Sequence, residues 1–223
     1  MTPAQKEAIE RLWPRYGVDF EPTPGEPAPT DLDALFGRRA RRVLEIGFGD
    51  GESLLAQAAA HPETDFIGIE VHLPGVGHCL LRAQALGLDN LRVVCHDAVP
   101  VLERQVPPRS VDRVNLYFPD PWPKKRHHKR RLVTAGFLRL VATRLADGGS
   151  LRIATDWDDY AEQIDDAIEA CGAYAVHTRT EHRGERPLDR PGTRFERRAM
   201  RLGHVIRDWR LELASSPQGT ACT

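Results

Sequence analysis

The residues in this chain with the most chemistry to offer sit just past short apolar runs. The run "VLEI" is followed by "GFGDGES", in which Gly47, Gly49 and Gly51 form G-x-G-x-G. Glycines so spaced allow a tight turn and let backbone approach a ligand closely. A dinucleotide fingerprint needs G-x-G-x-x-G; the third spacing is wrong for it, and Glu45 inside the run is foreign to it. About twenty residues on, "GIEVH" supplies Glu70, where an acid can hold ribose hydroxyls. "VVCHDAV" supplies Asp97, able to accept from an adenine amino group or to cap the next helix. Each feature alone also reads as an ordinary turn, surface acid or cap. Together they point to a nucleoside-type cofactor.

The stretch "NLYFPDPWPKKRHHKRR" begins as an apolar strand and stops on Pro119-Asp120-Pro121-Trp122-Pro123. Pro119 fixes its own φ and Pro121 restricts Asp120, so Asp120 is held stiffly at a strand tip. Every residue from Lys124 to Arg131 is Lys, Arg or His, and six of them are permanently charged. A basic loop beside a stiff tip suits delivery of a polyanion to a reaction site. "RIATDWDDY" adds Asp156 at another strand end, where capping is the plainer role. "RPGTRFERRAMRLGH" offers Thr193 and Glu196 at i, i+3, expected to reach the same mouth.

The elements that must position these residues alternate. Strands are predicted over Arg42–Ile46, Asp65–Val71, Leu91–Cys95, Val111–Phe118 and Ser150–Ala154. Helices are predicted over Glu52–Ala60, Val76–Leu86, Ala98–Arg104, Leu132–Leu145 and Trp157–Cys171. Tyr174–Thr178 and Phe195–Leu202 are expected to close the sheet as strands. Repeated strand–helix units mean an α/β fold, a mostly parallel sheet with helices on both faces. Ligands then sit beyond the carboxyl ends of the strands. Residues 1–30 are read as a Pro-rich N-terminal arm, extended over 14–30, residues 31–213 as the single functional domain, and 214–223 as a polar tail.

Composition agrees with one globular domain: 223 residues, 41% hydrophobic and 28% charged, with formal net charge −1. That near-zero sum hides a dipole, basic at Lys124–Arg131, Arg38–Arg42 and Arg194–Arg201 and acidic at Asp156–Asp166. Cys79, Cys95, Cys171 and Cys222 lie far apart with no C-x-x-C spacing, which argues against a zinc site or disulfide framework. No run is apolar enough to span a bilayer and no signal-peptide pattern opens the chain, so a cytoplasmic location with no membrane partner and no metal is expected.

Taken together, "LEIGFGDGESL", "IGIEVHLPGVGHCL", "NLYFPDPWPKKRHHKRRL", "IATDW" and "TRFERRAMRLGH" resemble the bacterial TrmB family of tRNA (guanine-N7-)-methyltransferases. The matches run in order from about residue 43 to about residue 208. The PDPW-K-x-R-H-x-K-R-R block joined to T-[KR]-F-E is specific; the glycine turn alone would suggest only a class I methyltransferase. The resemblance implies a class I (Rossmann-like) fold with a seven-stranded sheet. It implies S-adenosylmethionine as cofactor and tRNA as partner, with the variable-loop guanine, position 46, as target. It implies that Glu45, Glu70, Asp97 and Asp120 contact the donor or line its pocket beside Gly47 and Gly49. Asp120 becomes the proposed catalytic residue. Lys124, Asp156, Thr193, Arg194, Phe195 and Glu196 would hold the target nucleotide. Arg126, His127, His128, Lys129, Arg130 and Arg131 would contact the tRNA. A monomer is expected. Pro123 and Lys125 stand where the family varies.

The chemistry is compatible. Guanine N7 carries a free lone pair and needs no deprotonation before attack. No His–Asp or Cys–His nucleophile pattern appears at the strand tips, so the work is positioning and electrostatics. Asp120 and Asp156 are candidates to stabilise the cation that develops on the base, or Asp120 to orient it. Rival readings are a class I methyltransferase on another RNA or protein and a tRNA-binding subunit without activity. An oxidoreductase is disfavoured by the glycine spacing and Glu45.

Overall fold

The computed structural model describes residues 1–20, 29–184, 187 and 190–214. Among these residues seven strands form one sheet: β1 (Arg41–Ile46), β2 (Thr64–Ile69), β3 (Leu91–Val94), β4 (Val111–Tyr117), β5 (Leu145–Thr155), β6 (Tyr174–His182) and β7 (Ile206–Leu213). Their order is β3-β2-β1-β4-β5-β7-β6. The first five are parallel, and β7 runs antiparallel between β5 and β6. β1 is thus flanked by β2 and β4, and the chain reverses sheet direction there. That switch places the ends of β1, β2 and β4 side by side at one edge, where α/β sheets bind ligands.

Among the described residues eight α-helices accompany the strands: α1 (Pro3–Tyr16), α2 (Leu32–Phe36), α3 (Glu52–Ala60), α4 (Leu73–Ala85), α5 (Ala98–Arg104), α6 (Ala135–Arg144), α7 (Asp158–Cys171) and α8 (Arg194–Arg201). The period of two along the strands sorts their side chains between two cores. Val43, Phe66 and Val93 face the α1, α3 and α4 side, packing with Leu12, Leu54 and Leu80. Leu44, Ile46, Ile69 and Leu116 face the other side, packing with Leu102, Leu138 and Ile164. Each fully buried Leu or Ile of this kind contributes about 1.5–3 kcal/mol.

Two expectations need correction. The first part of the supposed arm is α1, a helix closed at its start by reciprocal bonds between Thr2 and Gln5. Ala8, Leu12 and Tyr16, spaced by four, are buried against α4. A Cβ at Gly77 would lie 2.8 Å from the Gln5 carbonyl, so glycine there permits the close approach. Pro14 sits in the last turn of α1, where it removes the amide bond back to Glu10, and the helix ends two residues later. Gly17 then pairs with Val93 at the sheet's edge. Residues 21–28, the rest of the expected arm, and 215–223 of the expected tail lie outside the described residues.

The run 195–202 is helical, not a strand. Thr193 caps α8 by accepting the Glu196 amide at 3.1 Å, and Glu196 and Ala199 are buried one turn apart. Thr-x-x-Glu before a run rich in Arg is a helix start. The closing strand is β7 instead, and its alternation of Trp209, Leu211 and Leu213 with Arg210 and Glu212 is legible as period two. No helix among the described residues is long and apolar enough to cross a membrane.

Candidate active site

A cavity of about 600 Å³ opens beyond the carboxyl ends of β1, β2 and β4. That volume is within the range of small-molecule sites. From the expected site it gathers Gly47, Gly49, Glu70, Asp97, Asp120, Arg130, Arg194 and Phe195.

After β1 the chain turns on Gly49 (φ 61) and Gly51 (φ 83), both left-handed. A Cβ at Gly51 would meet Cys79 Sγ at 2.6 Å, so conformation and space both require glycine there. The Gly49 amide donates to Glu70 Oε2 at 2.7 Å. Glu70 Oε1 accepts the Val71 and His72 amides, both at 2.8 Å. Asp97 caps α5, accepting the Val99 amide on Oδ1 at 2.8 Å, with its side chain exposed to the cavity. Capping and ligand binding are therefore compatible. Gly75, missed in the sequence, packs its α-carbon against the turn: a Cβ there would lie 2.2 Å from the Gly49 carbonyl oxygen.

Glu45 does not line the cavity. It lies under the turn, 3% exposed, where Oε2 accepts from Ser53 Oγ and Gln57 Nε2, both at 3.0 Å. Burial pushes its carboxyl up to about 7, and bonds from Ser53, Asn115 and Gln57 oppose the rise. Its position makes it a support of the turn.

β4 delivers Asp120 on a strained tip. Phe118 has φ 52 and Trp122 φ 44, so two bulky left-handed residues bracket Pro119-Asp120-Pro121. Such residues cost about 1–3 kcal/mol each and persist only where the surroundings over-determine them. The Phe118 amide donates to the Ala154 carbonyl at 2.7 Å, and the Phe118 ring stacks on Phe195 at 6.4 Å. Trp122 is packed edge-on by His127 at 5.8 Å and covered by the Arg130 guanidinium at 4.9 Å. In this arrangement Trp122 packs the loop.

The basic run forms a 3-10 helix over Lys125–Arg130. Lys124, Lys125, Arg126, Lys129 and Arg130 are exposed, and His127 and His128 are half-buried. Arg131 departs from expectation: its side chain is 1% exposed. It donates to the Pro121 carbonyl at 2.8 Å, Gln163 at 3.0 Å and Asp159 at 3.1 Å, and lies over Tyr160. A buried guanidinium so engaged offers nothing to a phosphate. Arg131 braces the loop.

Asp156 does not line the cavity; it pairs with His204 Nδ1 at 3.0 Å. Thr193 and Glu196 are likewise buried beneath α8, with Glu196 held by Arg190. Lys124 ends the strand-tip segment and its carbonyl accepts the His127 amide at 2.7 Å. α8 is tied across the glycine turn by Arg197 to Glu52 at 2.7 Å and Arg194 to Asp50 at 3.4 Å. Among the described residues no group of three His, Cys, Asp or Glu is placed to hold a metal ion.

Comparison with known proteins accords with this geometry. The family model described as "Putative methyltransferase" matches residues 39–209. The chain is 52% identical over 208 residues to the tRNA (guanine-N(7)-)-methyltransferase of Halorhodospira halophila, covering 93% of this chain and 88% of that protein. It is 50% identical over 212 residues to the protein of the same name from Nitrosococcus oceani, covering 95% and 86%. Among solved structures, the 16S rRNA methyltransferase KamB superposes with TM-score 0.61 at 18% identity, covering 84% of this chain and 95% of that one. The 16S rRNA (adenine(1408)-N(1))-methyltransferase of Catenulisporales acidiphilia, solved with its cosubstrate SAM, gives 0.60 at 22%, covering 86% and 96%. At such identities these structures establish the class I methyltransferase fold alone. The sequence relatives establish more: this chain belongs to the TrmB family of tRNA (guanine-N7-)-methyltransferases.

Proposed function

We propose that this protein, acting as a cytoplasmic monomer, methylates N7 of guanine 46 in the tRNA variable loop, with S-adenosylmethionine as donor. The observation that carries the reading is the joint placement of Glu70, Asp97 and Asp120 around one cavity, with the exposed basic loop leaving from the Asp120 tip. The residues present fit the donor. Glu70 has an acceptor site left for a ribose hydroxyl, Asp97 Oδ2 is clear of its capping bond, and neither Gly47 nor Gly49 has a Cβ to keep a ligand away. The donor supplies an electrophilic methyl group on a sulfonium. With the donor bound, guanine N7 would attack that carbon with its free lone pair while the C–S bond breaks with both electrons going to sulfur, which would leave as a neutral thioether and the base as a cation. Asp120 then stabilises that charge or fixes the base by accepting from its N1–H or amino group. Exposed Lys124, Lys125, Arg126, Lys129 and Arg130 neutralise phosphates and steer the tRNA, with little sequence preference. Arg194 and Phe195 contact the nucleotide from the opposite wall. Asp156, Thr193 and Glu196 shape that wall from behind.

The test uses purified protein, S-adenosylmethionine and bulk tRNA, with digestion and mass spectrometry for 7-methylguanosine beside Asp120→Ala. The expected result is 7-methylguanosine with wild type only, mapped to position 46. Product from both proteins would remove Asp120 from the chemistry. Tight tRNA binding without product from either would favour a binding subunit.

A further inference from the structure

Arg190 opens the stretch "RPGTRFERR", yet nothing in that pattern distinguishes it from the arginines that follow. In the fold it is the exception among them. Arg194, Arg197, Arg198 and Arg201 are exposed on α8, whereas Arg190 is 3% exposed. Its Nη2 lies 2.5 Å from Glu196 Oε1 and its Nε 2.6 Å from Asp208 Oδ1. Asp208 in turn faces His182 Nε2 at 2.9 Å. One planar cation thus joins α8 to β7 from within. The same guanidinium lies over two rings at the end of β4: 5.6 Å from the centre of Phe118 and 5.9 Å from that of Tyr117. Both are within cation–π reach.

We infer that Arg190 is a positioning residue for methyl transfer, holding Phe118 in its left-handed conformation and thereby setting where Asp120 presents its carboxylate. This rests on the activity proposed above. Phe118 stands two residues before Asp120, and Pro119 between them transmits its backbone direction with little slack. A bulky residue at φ 52 needs neighbours that forbid its relaxation. Phe195 stacks on the Phe118 ring, and Arg190 lies over it as well; Arg190 also locks, through Glu196, the helix that carries Phe195. Removing Arg190 loosens both contacts at once. Arg190 does not line the main cavity itself, and the glycine turn, Glu70 and Asp97 are held by bonds of their own, so most of the donor's contacts do not pass through it.

The decisive variant is Arg190→Lys in the full chain, with Arg190→Gln beside it. Lysine retains a cation for Glu196 and Asp208 but cannot fork between them or stack flat on Phe118. All rates are taken well below each variant's melting temperature. For Arg190→Lys the single-turnover rate of methyl transfer should fall about tenfold or more, while donor Kd and the KM for tRNA stay within about threefold. A crystal structure of that variant should show Phe118 at negative φ. A wild-type single-turnover rate, or a loss confined to donor Kd or KM, overturns the inference. So does a variant whose Phe118 stays left-handed, and that readout stands even if the wild-type enzyme makes no 7-methylguanosine, a result that would sink the proposed activity alone. Arg190→Gln leaves two carboxylates facing without their cation. Should it fail to fold, Arg190→Lys decides.

Discussion

Glu70 and Gly49, twenty-one residues apart, are joined by a 2.7 Å hydrogen bond from the glycine amide to the carboxylate. The other carboxylate oxygen takes the Val71 and His72 amides. One side chain therefore fixes the shape of the glycine turn and the end of β2 together. Glu70→Ala leaves three amides to find new partners. Bonds to a charged group contribute about 1.5–3 kcal/mol, so the melting temperature should drop measurably. Donor affinity, read by calorimetric titration with S-adenosylmethionine, should fall more than about tenfold. An affinity within error of wild type would remove Glu70 from the donor site.

Gly75 makes the same point from the other side of the turn. Alanine is a better helix former than glycine by about 1 kcal/mol, so Gly75→Ala in α4 would ordinarily stabilise. Here the new Cβ would sit 2.2 Å from the Gly49 carbonyl oxygen, a backbone atom that cannot swing away. The overlap should outweigh the propensity gain, displacing the turn by about 1 Å to restore an ordinary contact. Expected are a lower melting temperature and donor affinity weakened about tenfold or more, as overpacking typically costs about 1–3 kcal/mol. A variant as stable as wild type with intact donor binding would mean the turn adapts freely.

The parallel half of the sheet and the places of the glycine turn, Glu70, Asp97 and the stiff Asp120 tip beyond it are legible, because short, nearly continuous apolar runs mark strands buried on both faces and the odd residues follow them. What failed has a common physical cause: sequence shows a residue's type but not its direction. Arg131 is written in the same run as Lys124–Arg130, yet only packing against Tyr160 and Asp159 turns it inward. Glu45 precedes the glycines and stands within the motif, but strand alternation points it away from the mouth. α1 was hidden by Pro14, although Thr2, Gln5 and the spacing of Ala8, Leu12 and Tyr16 were signals for it. The arginines of α8 obscure the Thr193 cap, so that run reads as a strand. Arg190 had no local signal at all; its partners Glu196, Asp208 and Phe118 come from three separate elements.

Glu45 makes stability depend on pH in a direction opposite to most carboxylates. Burial raises its pKa from the usual 4.5 to about 7. Between those values the unfolded chain releases a proton that the folded protein keeps. The stabilisation is therefore complete below about pH 4.5 and is lost as pH rises through about 7, by an amount on the order of 3 kcal/mol. Glu45→Gln keeps an acceptor for Ser53 and Gln57 and carries no proton to lose. Denaturant unfolding of both proteins should show the difference in stability moving in favour of the glutamine variant as pH goes from 4.5 to 8. Parallel curves across that range would show that Glu45 is solvated or paired well enough to stay ionised.

The basic loop separates cations by direction, and salt reads that separation. Lys124, Lys125, Arg126 and Lys129 are exposed, so replacing all four with alanine should barely change folding stability, within about 0.5 kcal/mol per site. It should weaken tRNA binding and make the slope of log K against log salt shallower by up to about 3, since each phosphate contact contributes about 0.7–0.9. Arg131→Ala is expected to do the reverse. It removes the bonds to the Pro121 carbonyl, Gln163 and Asp159, so stability should fall by about 2 kcal/mol or more while the salt slope stays near the wild-type value. Fluorescence titrations at four salt concentrations, paired with thermal melts, distinguish the two classes. If Arg131→Ala flattens the slope as an exposed cation would, its guanidinium leaves Tyr160 and Asp159 to meet the RNA, and the brace described here exists only before tRNA arrives.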